Sequence, residues 1–187
     1  MSEQKTKVVT GKIRMSYAYL FTPREPENAG EKPKYSLSVL IPKSDVATLK
    51  KIKAAVDAAR EEGKSSKWGG KIPSGLKLPL RDGDEERPDS PEYAGHYFFN
   101  ANSVNKPGIV DKDLNPILDQ TEVYSGCYGR VSVNFYPYNH PKGGKGVAAG
   151  LNNVQKLADG EPLGGARTNP EDDFDSMDDE GGDDFLS

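Results

Sequence analysis

The stretch YGRVSVNFYPY at 128–138 sorts its side chains by parity. In an extended chain successive side chains point to opposite faces. Val131, Val133 and Phe135 then share one face, and Tyr128, Arg130, Ser132, Asn134, Tyr136 and Tyr138 share the other. The first set is a core face. The second sets aromatic rings beside a guanidinium and small polar groups, which is the chemistry a single-stranded polynucleotide needs: flat surfaces for bases and cations for phosphates. Stacking contributes about 1–3 kcal/mol per base and tolerates any sequence. Tyr128, Tyr136 and Tyr138 are therefore candidate stacking residues, with Arg130 as the cation. Lys142 and Lys145 in the adjoining loop, with Lys67, Trp68 and Lys71 upstream, are candidates to close the same groove from either side. The competing assignment packs the tyrosines under the long insert upstream or at a subunit contact.

Other constellations carry less. His96 and His140 lie in no motif with a nucleophile or a metal-ligand partner. The run GGKGVAAG at 143–150 lacks the Gly-Lys-Ser/Thr ending of a phosphate-binding loop and reads as a hairpin turn. Asp111, Asp113 and Asn115 with Glu122 echo a calcium loop, but Pro116 stands where that loop needs glycine. Asp82, Asp84 and Glu85 are the one carboxylate group a metal-dependent nuclease could use, and no second cluster accompanies them. No metal or cofactor is expected, and binding is favoured over catalysis. A third reading is an interaction protein whose acidic tail mimics nucleic acid without binding it.

The elements that must position these residues are mainly strands. Residues 6–21 are rich in β-branched and aromatic types and read as one long strand. A Pro/Gly/charge loop separates it from residues 35–41, where Tyr35, Leu37, Val39 and Ile41 alternate with Ser36 and Ser38. One helix follows. Ser44 can cap it, Val46, Leu49, Ile52, Val56 and Ala59 recur at helical spacing, Gly63 is placed to stop it, and Lys50, Lys51 and Lys53 face away. Residues 64–94 show no period and are too long for an ordinary connection, which suggests a functional insert. Strands are expected again at 96–103, 109–110, 128–138 and 146–157. Strands with one helix and glycine-rich turns point to an OB-like β-barrel.

Charge divides the chain. Of 29 acidic residues, nine fall in 168–187, which holds no Lys or Arg, so the first 167 residues carry 25 basic and 20 acidic side chains, net +5, within a total of −4. The body suits a polyanion and the tail can compete with one. From about residue 165 glycine, proline and acids dominate and disorder is expected, giving a binding domain over 1–164 and a tail over 165–187. Asp183, Asp184, Phe185 and Leu186 at its end combine acid and apolar character, which suits docking to a partner's basic, apolar pocket. Cys127 is the single cysteine, and no apolar run approaches the ~20 residues of a membrane span. These features fit a cytoplasmic protein with no membrane partner, and an oligomer is left open.

Six blocks carry a wider likeness: LIPKSD (40–45), LPLRDGDEER (78–87), KPGIVD (106–111), VYSGCYGRVSVNFYPYN (123–139), KGVAAGLNNVQKL (145–157) and DGEPLGG (159–165). Together they resemble a tailed-bacteriophage family of single-stranded-DNA-binding proteins, over nearly the whole chain. The resemblance implies an OB-type barrel that coats single strands during phage replication or recombination. It also implies an acidic tail that recruits phage or host replication proteins. Such tails often end on the aromatic residue itself, whereas here Leu186 and Ser187 follow Phe185.

Overall fold

The computed structural model describes residues 5–26, 29–141 and 144–163. The alternation at 128–138 is realised in β7 (Tyr128–His140), where Val131, Val133 and Phe135 are buried and the even-numbered positions face outward. A closed ring is built around that core face. β2 (Ile13–Arg24) pairs with β3 (Lys34–Pro42), β3 with β5 (His96–Ser103), β5 with β8 (Gly144–Ala158), β8 with β7, and β7 returns to β2 at Ile13↔Gly129. Only the β5–β8 pairing within this ring is parallel, at Ala101↔Ala149 and Asn102↔Gly150. Five strands in this cyclic order make an OB barrel. Its interior is filled by Met15, Leu37, Val39, Phe99, Val133, Phe135 and Leu151, with the Phe99 and Phe135 rings 5.5 Å apart.

The expected strand over 6–21 is broken. β1 (Lys7–Val9) and β2 both run along β7 but are separated at Gly11, where a Cβ would lie 2.8 Å from Asp45 Oδ2. Gly11 N donates to Thr48 Oγ1 at 2.9 Å, so the start of the helix docks into the break. That helix, α1 (Val46–Ser66), is capped by Asp45 instead of Ser44: Thr48 N and Thr48 Oγ1 donate to its carboxylate at 3.2 and 2.7 Å. Ile52, Val56 and Ala59 face the barrel as expected, Leu49 packs partly buried against it and Ala55 joins them, whereas Val46 is exposed. Gly63 does not end the helix. It is buried under Trp68 and Pro137, and a Cβ there would lie 2.6 Å from Pro137 Cβ.

The insert is ordered by a second, smaller core. β4 (Arg81–Asp82) pairs with β5, α2 (Gly83–Glu86) follows, and a 3₁₀ turn at Pro91–Tyr93 brings Tyr93 onto Leu40 and Phe98 on the outer side of the barrel. β6 (Gly108–Val110) adds parallel to β8 outside the ring. The segment after it turns on Asp111, whose Oδ1 accepts from Asp113 N and Asn115 N, both at 2.9 Å. That carboxylate is committed to a turn. Among the described residues no helix is long and apolar enough to cross a membrane.

Candidate nucleic-acid interface

Because Leu37, Val39 and Ile41 point inward, Ser36, Ser38 and Leu40 face out from β3. Their partners on β5 are Asn102, Asn100 and Phe98. Leu40 and Phe98 lie under the insert, but the two serines and two asparagines form a low polar floor, and Ser38 Oγ donates to Asn100 Oδ1. Large side chains stand on both sides of that floor. On β2 a bulge inserts one extra residue between Ser16↔Ser38 and Tyr19↔Ser36. Tyr17 takes φ +46° there, a left-handed conformation unusual for a bulky residue, and Ala18 N is held by Ser125 Oγ at 3.0 Å. The bulge turns out Tyr17 and Tyr19, 54% and 39% exposed. Arg24 lies over the Tyr19 ring at 5.9 Å. Arg87, from the insert, lines the same groove against Phe98 of β5.

These residues enclose a groove of about 490 Å³ that continues past Arg24 and Lys34 into the loop between β2 and β3. OB folds bind oligonucleotides on this face, strands two and three with the adjoining loops. Sequence reasoning missed the groove. The available signals were the two-residue spacing of Tyr17 and Tyr19, of Ser36 and Ser38, and of Asn100 and Asn102, but pairing three separate segments into one floor requires the register.

The β7 candidates lie on another wall, since the ring neighbours of β7 are β2 and β8. Tyr136 is 42% exposed and Tyr138 half-buried. Their cross-strand partners are Ala148 and Gly146, small residues across which the rings can lie. Burial, with Tyr138 beside it, pushes the Tyr136 hydroxyl pKa up. Tyr128 is half-buried, with Lys12 Nζ and Arg14 Cζ 5.1 and 5.4 Å from its ring. Arg130 is exposed and donates from Nε to Thr10 O at 2.9 Å. The lysines do not join these rings. Lys145 pairs with Asn139 and shares the face of Val147, and Asn139 Nδ2 donates to Lys67 O at 3.3 Å. Both therefore gather near the end of α1, behind Tyr138. Lys71 is exposed in the same loop, and Lys142 lies outside the described residues.

Trp68 must be reassigned. It is 7% exposed, donates from Nε1 to Tyr138 O at 3.1 Å and packs on Gly63. A ring so enclosed has no free face for a base, and its place is in the core.

The model of the family described as Enterobacter phage Enc34, ssDNA-binding protein, matches residues 6–186. The chain belongs to the Enc34 ssDNA-binding protein family. The solved structure of the Enc34 protein in complex with ssDNA is 29% identical, with a TM-score of 0.74 over 85% of this chain and 90% of that one. Putative protein p50 of Acyrthosiphon pisum secondary endosymbiont phage 1 is 32% identical over 181 residues, 91% of this chain and 94% of its own length. Bacteriophage T7 gp2.5 has the same fold at 16% identity, with a TM-score of 0.61 over 88% of this chain and 98% of that one.

In this Enc34-family chain Asp82 and Asp84 of the insert's acidic run are tied into the structure, whereas Glu85 is exposed. Lys43 Nζ lies 2.8 Å from both Asp82 Oδ1 and Asp84 Oδ2, and Asp84 Oδ1 accepts from Gly95 N at 3.1 Å. The Lys43 hydrogen bonds hold both carboxyls below their ordinary range. Lys43 Nζ thus stands between the two carboxylates. The last described residues form a strap beside the groove. Arg14 Nη2 donates to Glu161 O at 2.8 Å, and Gly160 N to Tyr124 Oη at 3.2 Å. Leu163 N donates to Ser125 O at 2.8 Å, on the residue whose hydroxyl holds the β2 bulge. Asp183, Asp184, Phe185 and Leu186 lie outside the described residues.

Proposed function

We propose that this chain binds single-stranded DNA, with little sequence preference, in the groove over β2, β3 and β5. The observation that carries this reading is the pair of exposed tyrosines on the strained bulge, sharing one groove with Arg87 and a low Ser/Asn floor in an OB barrel. Tyrosine faces accept any base, and Arg24, Lys34 and Arg87 supply cations for phosphates. Membership of the Enc34 family supports the same ligand. Tyr128, Arg130, Tyr136 and Tyr138 form a secondary contact surface on the far wall, with Lys67, Lys71, Lys142 and Lys145 contributing long-range attraction.

The role extends to coating single strands during phage DNA replication or recombination in the host cytoplasm. The 165–187 tail modulates binding and recruits replication proteins through Asp183, Asp184, Phe185 and Leu186. The strap supports this, because Leu163, the last described residue, is bonded to Ser125 beside the bulge. Anisotropy titration with labelled single- and double-stranded oligonucleotides at several salt levels tests the reading. Single strands should bind more tightly, with log affinity falling by about 0.7 per phosphate contact per decade of salt. Deleting 168–187 should tighten binding at low salt, since the net charge changes from −4 to +5. Equal affinity for duplex and single strand would overturn the proposal.

A further inference from the structure

The insert does more than cover one end of the β3–β5 surface. Its small core is asymmetric: Leu40 and Phe98 come from the barrel, Tyr93 comes from the insert, and the Tyr93 and Phe98 rings meet edge to face at 5.0 Å and 86°. Arg87 rests in the corner they make, its Cζ 5.8 Å from the Tyr93 ring and 5.7 Å from Phe98. Tyr93 also reaches β2, its hydroxyl donating to Ser16 Oγ at 3.4 Å, one residue before the bulge. Acids surround Arg87 in sequence, yet Asp82 and Asp84 are taken by Lys43, and Arg87 lies on its two rings. A guanidinium supported on aromatic faces keeps its N–H edge available for a pair of oxygen acceptors.

We infer that Arg87 is a phosphate clamp, held by Tyr93 and Phe98, that fixes the DNA backbone along the β5 side while the bases lie toward Tyr17 and Tyr19. This rests on the groove being the single-strand site and adds which side of it the sugar-phosphate backbone takes. Phosphate is favoured over a base edge because Arg87 lies against Phe98 on β5, whereas the tyrosines that would stack bases stand on β2. The insert is thereby a positioning device, with the Lys43 ion pairs anchoring it at Asp82 and Asp84.

The test compares Arg87→Ala, Arg87→Lys and Tyr19→Ala in the full chain, titrated with a thymine homopolymer and with a guanine-containing oligonucleotide of equal length over a salt series. Arg87→Ala should weaken both oligonucleotides about tenfold, as expected for a charge-assisted contact, and reduce the salt slope by about 0.7. Because Arg87 is exposed, the melting temperature should stay near that of the parent. Arg87→Lys should restore the slope but only part of the affinity, since lysine lacks the planar fork. Full recovery by lysine would overturn the ring-held geometry. Loss confined to the guanine oligonucleotide would overturn the phosphate assignment in favour of base-edge contact. If Tyr19→Ala weakens binding and Arg87→Ala does not, the clamp alone fails. If neither matters, the groove reading fails with it.

Discussion

Replacing Tyr17 separates the two things that residue does. Its φ of +46° is left-handed, which costs a non-glycine residue about 1–2 kcal/mol. Its ring is 54% exposed, so removing it empties little of the core. Tyr17→Ala keeps the backbone strain and loses the ring, whereas Tyr17→Gly loses both. Glycine is ordinarily less favourable than alanine inside a strand by about 0.5–1 kcal/mol. At position 17 the order should invert, with the glycine variant more stable by about 0.5–1 kcal/mol once the entropy of its unfolded chain is set against the released strain. In a domain of this size that is about 1–4 °C in melting temperature. Binding should fall equally in both variants, by about 1–3 kcal/mol for one lost stacking contact. Thermal unfolding by circular dichroism, with anisotropy titration of a thymine oligonucleotide, reads both quantities. A glycine variant that melts below the alanine variant would refute the strain argument. Parental affinity in both would remove Tyr17 from the site.

Neighbouring residues on β7 should respond in opposite ways: Phe135→Ala empties a position 1% exposed, at a cost of about 3–5 kcal/mol of stability, seen in denaturant unfolding. Tyr136→Ala, from the exposed face, should barely shift that unfolding curve and, if the ring stacks on a base, should weaken binding by about 1–3 kcal/mol. Gly63→Ala should destabilise, despite the better helix propensity of alanine, by about 1–3 kcal/mol, because its Cβ would press on Pro137 and Trp68; a more stable variant would refute the packing described. Asp82 and Asp84 should titrate below the ordinary aspartate range in carboxyl NMR, and Lys43→Met should move both back up. Since their folded-state pKa values are depressed, their contribution to stability is present above the unfolded value near 3.9 and is lost as pH falls through the lower folded values.

The parity of β7 and the inward stripe of α1 were legible because each reports a local periodicity against one apolar core. What escaped was tertiary in origin. The break at Gly11 is made by Asp45 and Thr48, far along the chain, so 6–21 reads as uninterrupted strand. Trp68 among lysines resembles a stacking platform, and only Gly63 and the Tyr138 carbonyl explain its burial. Lys145 is one residue out of parity with Gly146, the partner of Tyr138, which places it on the reverse face. The groove floor is short polar side chains on two strands, Ser36 and Ser38 opposite Asn102 and Asn100, and nothing in either strand alone distinguishes them from ordinary surface positions.

The closure of the ring also sets an order in time. β2 lies between β3, which follows it closely in the chain, and β7, which it meets at Ile13↔Gly129. At about 5–20 residues per second of synthesis, the β2 edge that faces β7 waits on the order of ten seconds for its partner. Until then β2, β3 and the later β5 can form only an open, curved meander. The final event is a long-range docking of the β7–β8 hairpin, whose parallel seam to β5 spans just Ala101↔Ala149 and Asn102↔Gly150. Such late, non-local closure gives a slow folding phase. It also leaves the finished barrel two short seams, β2–β7 at Ile13↔Gly129 and Arg14↔Tyr128 and β5–β8 at Ala101↔Ala149 and Asn102↔Gly150, so amide exchange along these should outpace that in the β2–β3 ladder.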